Sequence, residues 1–267
     1  MTETNTTSPL KVWLDRDGSL LRLRLDRPKA NIVDAAMIAC LQSAFDAHRA
    51  APGLRGVLLD ATGSHFSFGA SVEEHVAERC AAMLAALHAL IITMVEFPLP
   101  ILTAVRGQCL GGGLEVALAG GPIFSTADAK LGQPEMSLGV FAPAASCLLP
   151  YRVNQPDAED LLFSGRSISG AEAKAMGLVQ TVAEDPESAA LQYFDQHLAP
   201  KSAAALACAV AAARGPLIRS LRARLQEVET LYLERLMKTH DANEGLCLLY
   251  TSPSPRDRTR SRMPSSA

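Results

Sequence analysis

No two of the six cysteines (Cys40, Cys80, Cys109, Cys147, Cys208, Cys247) form a CxxC pair. That removes dithiol redox chemistry and ribbon-type zinc sites, and scattered thiols fit a reducing, cytoplasmic setting. The six histidines (His48, His65, His75, His88, His197, His240) include no HExxH or comparable spacing, so no metal site is expected. There is no GxSxG elbow for a serine hydrolase, and no Gly-Lys-Ser/Thr for a phosphate loop. Neither sign of charge dominates. With 25 basic and 28 acidic residues the net charge is −3, which gives no electrostatic reason to expect nucleic acid or an anionic membrane as partner. The apolar run Met83–Val95 is broken by His88 and is too short to cross a bilayer. Met1–Pro9 is polar, so no secretory leader is expected there.

What remains is an ordinary globular composition, 48% hydrophobic and 20% charged over 267 residues, enough for one full core with a helical appendage. Val12–Asp15 and Leu20–Asp26 read as strands about an Asp17-Gly18 turn. The alternation of Leu21, Leu23 and Leu25 with Arg22 and Arg24 predicts one wet face. Val33–Ala50 carries Ile38, Leu41 and Phe45 at helical spacing, and Gly56–Asp60 reads as a buried strand. Phe66–Ser71 reads as a loop before a helical stretch, Val72–Glu96. Past Pro143 the pattern is helical over Ala158–Phe163, Gly170–Met176, Pro186–Leu198, Ser202–Ala213 and Pro216–Asp241.

The most informative stretch is Ile101–Gly139. An apolar strand, Ile101–Val105, precedes Gly111-Gly112-Gly113-Leu114-Glu115 and an Ala/Leu-rich helix. Three glycines entering a helix leave backbone N–H groups unpaired and unobstructed, with Glu115 in the first turn beside whatever they hold. A second acid follows in Gly132-Gln133-Pro134-Glu135. Two successive strand–loop–helix units predict a parallel sheet, with both loops at the carboxyl ends of neighbouring strands, where open α/β sheets bind ligands.

Taken in order, five segments resemble the crotonase (enoyl-CoA hydratase/isomerase) superfamily over roughly Leu20–Gly245. They are Arg27-Pro28-Lys29-Ala30-Asn31, Phe66–Ser71, the Gly-Gly-Gly-Leu-Glu turn, Gly132–Glu135, and Gly165–Ser169 through Gly177-Leu178-Val179. Within it, Ala30–Asp34, Gly69–His75 and Val140–Ser146 resemble hydratases of cyclic dienoyl-CoA thioesters from anaerobic benzoyl-CoA breakdown. The resemblance implies an α/β crotonase-like ββα spiral with a parallel sheet core and a C-terminal helical region. It implies Glu115 and Glu135 as catalytic acids and the Ala70 and Gly112 N–H groups as an oxyanion hole. Lys29, Ala30, Ile32, Phe68, Gly69, Ser71, Val72, Gly111, Pro134 and Phe141 are then the substrate and CoA contacts. Glu115 is assigned as base on water and Glu135 as proton donor to carbon, although coupled acids admit the reverse. No cofactor is expected beyond the CoA of the substrate, and a trimer or dimer of trimers is implied.

This sequence departs from common hydratases after the second glutamate. Ala142-Pro143-Ala144-Ala145-Ser146 stands where a glycine-rich segment is usual, and Ser71 where many relatives carry Asp. Both favour a flat ring substrate over crotonyl-CoA, with Phe141 as a ring contact. A generic enoyl-CoA hydratase or isomerase is the alternative enzyme reading. A non-catalytic or RNA-binding crotonase-fold protein is the alternative of another class, and two retained acids speak against it. The implied organisation is a disordered 1–9, a core over 10–200, a C-terminal helical trimerisation region over 201–246 and a disordered, non-native tail over 247–267. Ser, Pro and Arg dominate that tail, which cannot bury enough apolar area to order itself.

Overall fold

The computed structural model describes residues 8–27, 29–71 and 77–251; Val72 and His75, both singled out above, lie outside them. β1 (Leu10–Asp15) and β2 (Leu20–Leu25) form an antiparallel hairpin. Its turn places Arg16, Asp17 and Gly18 at positive φ (53°, 53° and 83°). α1 (Ala35–His48) is started by Asp34, whose carboxylate accepts from Met37 N, the usual N-cap arrangement. β3 (Gly56–Ala61), α2 (Ala77–Val95) and β4 (Ile101–Val105) follow, then β5 (Gln108–Leu110), α3 (Gly112–Ala119), β6 (Ile123–Ser125) and β7 (Lys130–Gly132). The chain continues through α4 (Pro143–Leu148), α5 (Gln155–Ser164), β8 (Ser167–Ser169), α6 (Gly170–Ala175), β9 (Thr181–Val182), α7 (Pro186–Tyr193), α8 (Ala203–Thr230) and α9 (His240–Thr251).

The main sheet runs β1-β2-β3-β4-β6-β9 and is parallel from β2 onward. A small sheet, β5-β7-β8, stands beside it. The crotonase-like α/β arrangement expected from sequence is therefore present. β3 and β4 pair in parallel, so the loops that leave them open side by side.

Four local expectations are corrected. β4 does not run straight into α3, because β5 intervenes. The chain bends at Gly107, at φ +56°, where any side chain would collide with the Ser64 carbonyl and His65.

The Arg22/Arg24 face of β2 is not wet. Arg22 is 4% exposed, and both guanidiniums bond Asp60 and Glu187. α7 covers this face, where Leu20, Leu58, Leu102 and Phe124 pack against Ala190 and Phe194. Period-two alternation tells the two faces apart, and here the second face is covered too.

α8 continues unbroken through Gly215-Pro216, because Leu217, Leu221 and Leu225 are buried and hold the helix beyond the proline.

The helical region does not end at Leu246, since α9 runs to Thr251. It lies over the turn Pro134–Leu138, close enough that a side chain at Gly245 would meet the Leu138 backbone, and Ala242 and Leu246 are buried there.

Candidate active site

The two loops that approach each other are stitched by backbone bonds. Phe66 N donates to Arg106 O (2.9 Å), Ser67 N to Gln108 O (2.9 Å) and Leu110 N to Ser67 O (3.0 Å). His65 Nδ1 accepts from Gln108 N at 3.1 Å, so His65 holds the turn. Asn31, buried at positive φ, donates from Nδ2 to Thr62 O and His65 O (3.0 and 2.9 Å). The Asn31 carbonyl accepts from Ser67 Oγ at 2.7 Å. These bonds fix Gly69-Ala70 against the start of α3.

Each glycine of the triplet has its own reason. A Cβ at Gly111 would stand 2.5 Å from Glu135 Oε1, and Gly111 also has φ +50°. A Cβ at Gly112 would stand 3.1 Å from both Ala70 N and Ala70 Cβ. A Cβ at Gly113 would stand 2.6 Å from Ser67 Cβ. The Ala70 and Gly112 N–H groups meet no acceptor among the described residues, as the first turn of a helix dictates for the latter. Two such donors side by side suit an oxygen that gains negative charge.

Glu115 projects from the first turn of α3 and is 3% exposed. Its Oε1 accepts from Ala145 N at 2.8 Å. Ala142–Ser146, which stands where a glycine-rich segment is usual, thus includes the first turn of α4 and turns an amide onto the acid. Burial pushes the Glu115 carboxyl up, while the Ala145 and Ala144 amides and nearby His88 pull it back. His88 is buried, with Nδ1 2.7 Å from Glu229 Oε2.

Glu135 is half-buried on the 3₁₀ turn Pro134–Leu138. Burial first, and the charge of Glu115 second, push its carboxyl up to about 8. With the Gln133 amide turned so that its nitrogen faces the acid, it donates to both carboxyl oxygens at 3.1 and 3.2 Å.

A cavity of about 460 Å³ opens between these groups. Ile32, Phe68, Gly69, Ala70, Gly111, Gly112, Glu115, Pro134, Glu135 and Phe141 all line it. Lys29, Ala30 and Ser71 do not. Lys29 is exposed, and Ala30 instead accepts from Phe68 N through its carbonyl at 2.9 Å. Sequence reasoning missed the far wall: Met83, Leu84 and Leu87 from α2, Tyr232 just past α8, and Leu246 from α9. The buried stripe Leu217, Leu221, Leu225 continues at helical spacing to Tyr232, and that period was the available signal.

A sequence profile of the enoyl-CoA hydratase/isomerase family matches residues 15–250. The chain belongs to that family. It is 64% identical over 240 residues to the cyclohexa-1,5-dienecarbonyl-CoA hydratase of Thauera aromatica, covering 90% of this chain and 93% of that one. It is 35% identical over 168 residues to a probable enoyl-CoA hydratase of Bacillus subtilis, covering 61% and 65%. Among solved structures, an enoyl-CoA hydratase/isomerase from Mycobacterium paratuberculosis superposes with a TM-score of 0.82 at 20% identity, covering 91% of this chain and 99% of that one. An enoyl-CoA hydratase from Bacillus halodurans also gives 0.82, at 21% identity and coverages of 90% and 99%.

Proposed function

We propose that the protein is a carbon–oxygen lyase that hydrates cyclohexa-1,5-diene-1-carbonyl-CoA to 6-hydroxycyclohex-1-ene-1-carbonyl-CoA, a step of anaerobic aromatic degradation. The observation that carries the reaction type is the meeting of two unpaired N–H groups with two coupled carboxyls in one cavity. The Thauera aromatica relative supports the cyclic substrate.

The thioester oxygen binds the Ala70 and Gly112 N–H groups. The Glu115 carboxylate takes a proton from water while the water oxygen bonds to the β carbon. Electrons move through the conjugated system onto the thioester oxygen, and each donor there is worth about 10²–10³ in rate. The extended dienolate then takes the proton of neutral Glu135 at its far carbon. The ring double bond shifts, and a proton from Glu115 to Glu135 resets the pair. Burial raises the Glu115 carboxyl, the Ala145 amide, His88 and the Ala144 amide work against that in favour of its charged form, and the elevated Glu135 favours a proton donor near neutral pH. The addition is redox-neutral and asks for no cofactor beyond the CoA of the substrate.

Ala204, Ala205, Ala209 and Ala211–Ala213 leave an exposed alanine-rich face on α8. That face suits contact with further copies of this chain in a cytoplasmic trimer or dimer of trimers, which sizing in solution tests. The substrate reading is tested by comparing kcat/KM for cyclohexadienoyl-CoA and crotonyl-CoA, with products identified by mass spectrometry. A strong preference for the cyclic thioester is expected. Equal values would favour a generic enoyl-CoA hydratase.

A further inference from the structure

We propose that Tyr232 is a specificity-determining residue, which with Phe141 forms an aromatic wall that selects a flat ring over an open acyl chain. This rests on the cyclic-substrate reading above. Tyr232 lies 113 residues (232 − 119) beyond the end of α3, yet it lines the same cavity as Glu115 and Glu135. It is 1% exposed, and its neighbour Leu231 points to solvent.

A π turn over Leu231–Arg235 follows α8 at this point. Such wide turns recur at functional sites because they re-aim a side chain. The Tyr232 ring meets Phe141 edge-to-face, with centroids 5.4 Å apart and planes at 64°. The two rings come from distant parts of the chain: Phe141 from the segment just after the Glu135 turn, Tyr232 from the turn that follows α8.

Two further features keep Tyr232 in place. Its hydroxyl lies against the Cys80 thiol on α2, and burial together with the charges of Cys80, Glu135 and Glu115 pushes its ionisation well above the usual phenol range. The side chain is therefore a neutral, fixed plane beside the reacting centre. A conjugated ring offers a wide face and an edge that match such planes, whereas a crotonyl chain offers only one C=C and a terminal methyl group. Aromatic pairings of this kind change affinity about 2- to 12-fold beyond area burial.

The experiment measures kcat/KM for cyclohexadienoyl-CoA and for crotonyl-CoA on the full chain and on Tyr232→Phe and Tyr232→Leu. Tyr232→Phe keeps the ring and should retain the cyclic preference. Tyr232→Leu should reduce that preference by about 2- to 12-fold. If Tyr232→Leu does not fold by circular dichroism, Phe141→Leu reads the other half of the wall, with the same expected fall. A folded leucine variant that keeps the wild-type ratio overturns the proposal, as does an equal loss on both substrates, since either marks a merely structural side chain. A wild-type ratio near one is a different result, because it removes the cyclic-substrate reading itself and this proposal with it.

Discussion

Glu135 is a carboxyl that the folded chain holds uncharged at a cost to its own stability, and Glu135→Gln should expose that cost. Its ionisation is raised from 4.5 to about 8 in the folded protein, while in the unfolded chain it titrates normally. The unfolded state therefore releases this proton first. The favourable contribution is complete below about pH 4.5 and is lost progressively as pH rises to about 8. Glutamine mimics the protonated acid, so the variant should match wild type near pH 4.5 and outlast it at pH 9. Each tenfold change in ionisation is about 1.4 kcal/mol. Solvent screening at a half-buried position reduces the full effect to about 1–3 kcal/mol. For a chain of this size that is a melting point roughly 3–8 °C above wild type at high pH. Activity should move the other way. Glu135→Gln should lose about 10²–10⁴ in kcat, and wild-type kcat/KM should fall tenfold per pH unit above about 8. Calorimetry at half-unit steps from pH 4.5 to 9, beside a pH–rate profile, reads both. A melting difference that stays constant across that range would refute the reasoning, because a neutral folded Glu135 requires it to grow.

Two other outcomes follow from the geometry. Gly112→Ala should fold normally by circular dichroism, yet lose about 10²–10³ in kcat, because its methyl group would stand 3.1 Å from Ala70 N; wild-type turnover would show that Ala70 N holds no reacting oxygen. Ending the chain at Thr251 should leave the melting temperature within about two degrees of the full chain, whereas ending it at Thr239 removes the buried Ala242 and Leu246 and should cost about 2–5 kcal/mol, read by denaturant titration together with a weaker KM.

The legible parts of the sequence were those whose constraints are local. The glycine triplet, Glu115 and Glu135 lie within one short stretch, and Glu135, Ala70 and Ser67 crowd any Cβ added at positions 111–113. Asp17-Gly18 fixed its hairpin for a similar reason. β5 escaped notice because three residues between Gly107 and Gly111 carry too little periodicity to register. The Arg22/Arg24 face was misassigned because its cover, α7, lies more than 150 residues away and the ion pairs with Asp60 and Glu187 leave no trace in the strand itself. Tyr232 and Leu246 were missed on the same account. They reach the cavity through tertiary packing, and the helical period that marks Tyr232 as buried does not say which cavity it faces.

The three reasons behind Gly111-Gly112-Gly113 also decide which of these residues the molecule could ever exchange. Gly113 is opposed by the Ser67 side chain, whose hydroxyl donates to the Asn31 carbonyl and accepts from Gly69 N. A Gly113→Ala change paired with Ser67→Gly would relieve the clash only by giving up the two bonds that hold Gly69-Ala70 against α3. Gly111 and Gly112 are opposed by the Glu135 carboxyl oxygen and the Ala70 amide, the groups to which the proposed reaction assigns the proton and the oxyanion. Adjacent and chemically identical, the three glycines divide into one that faces a positioning side chain and two that face the proposed reacting groups.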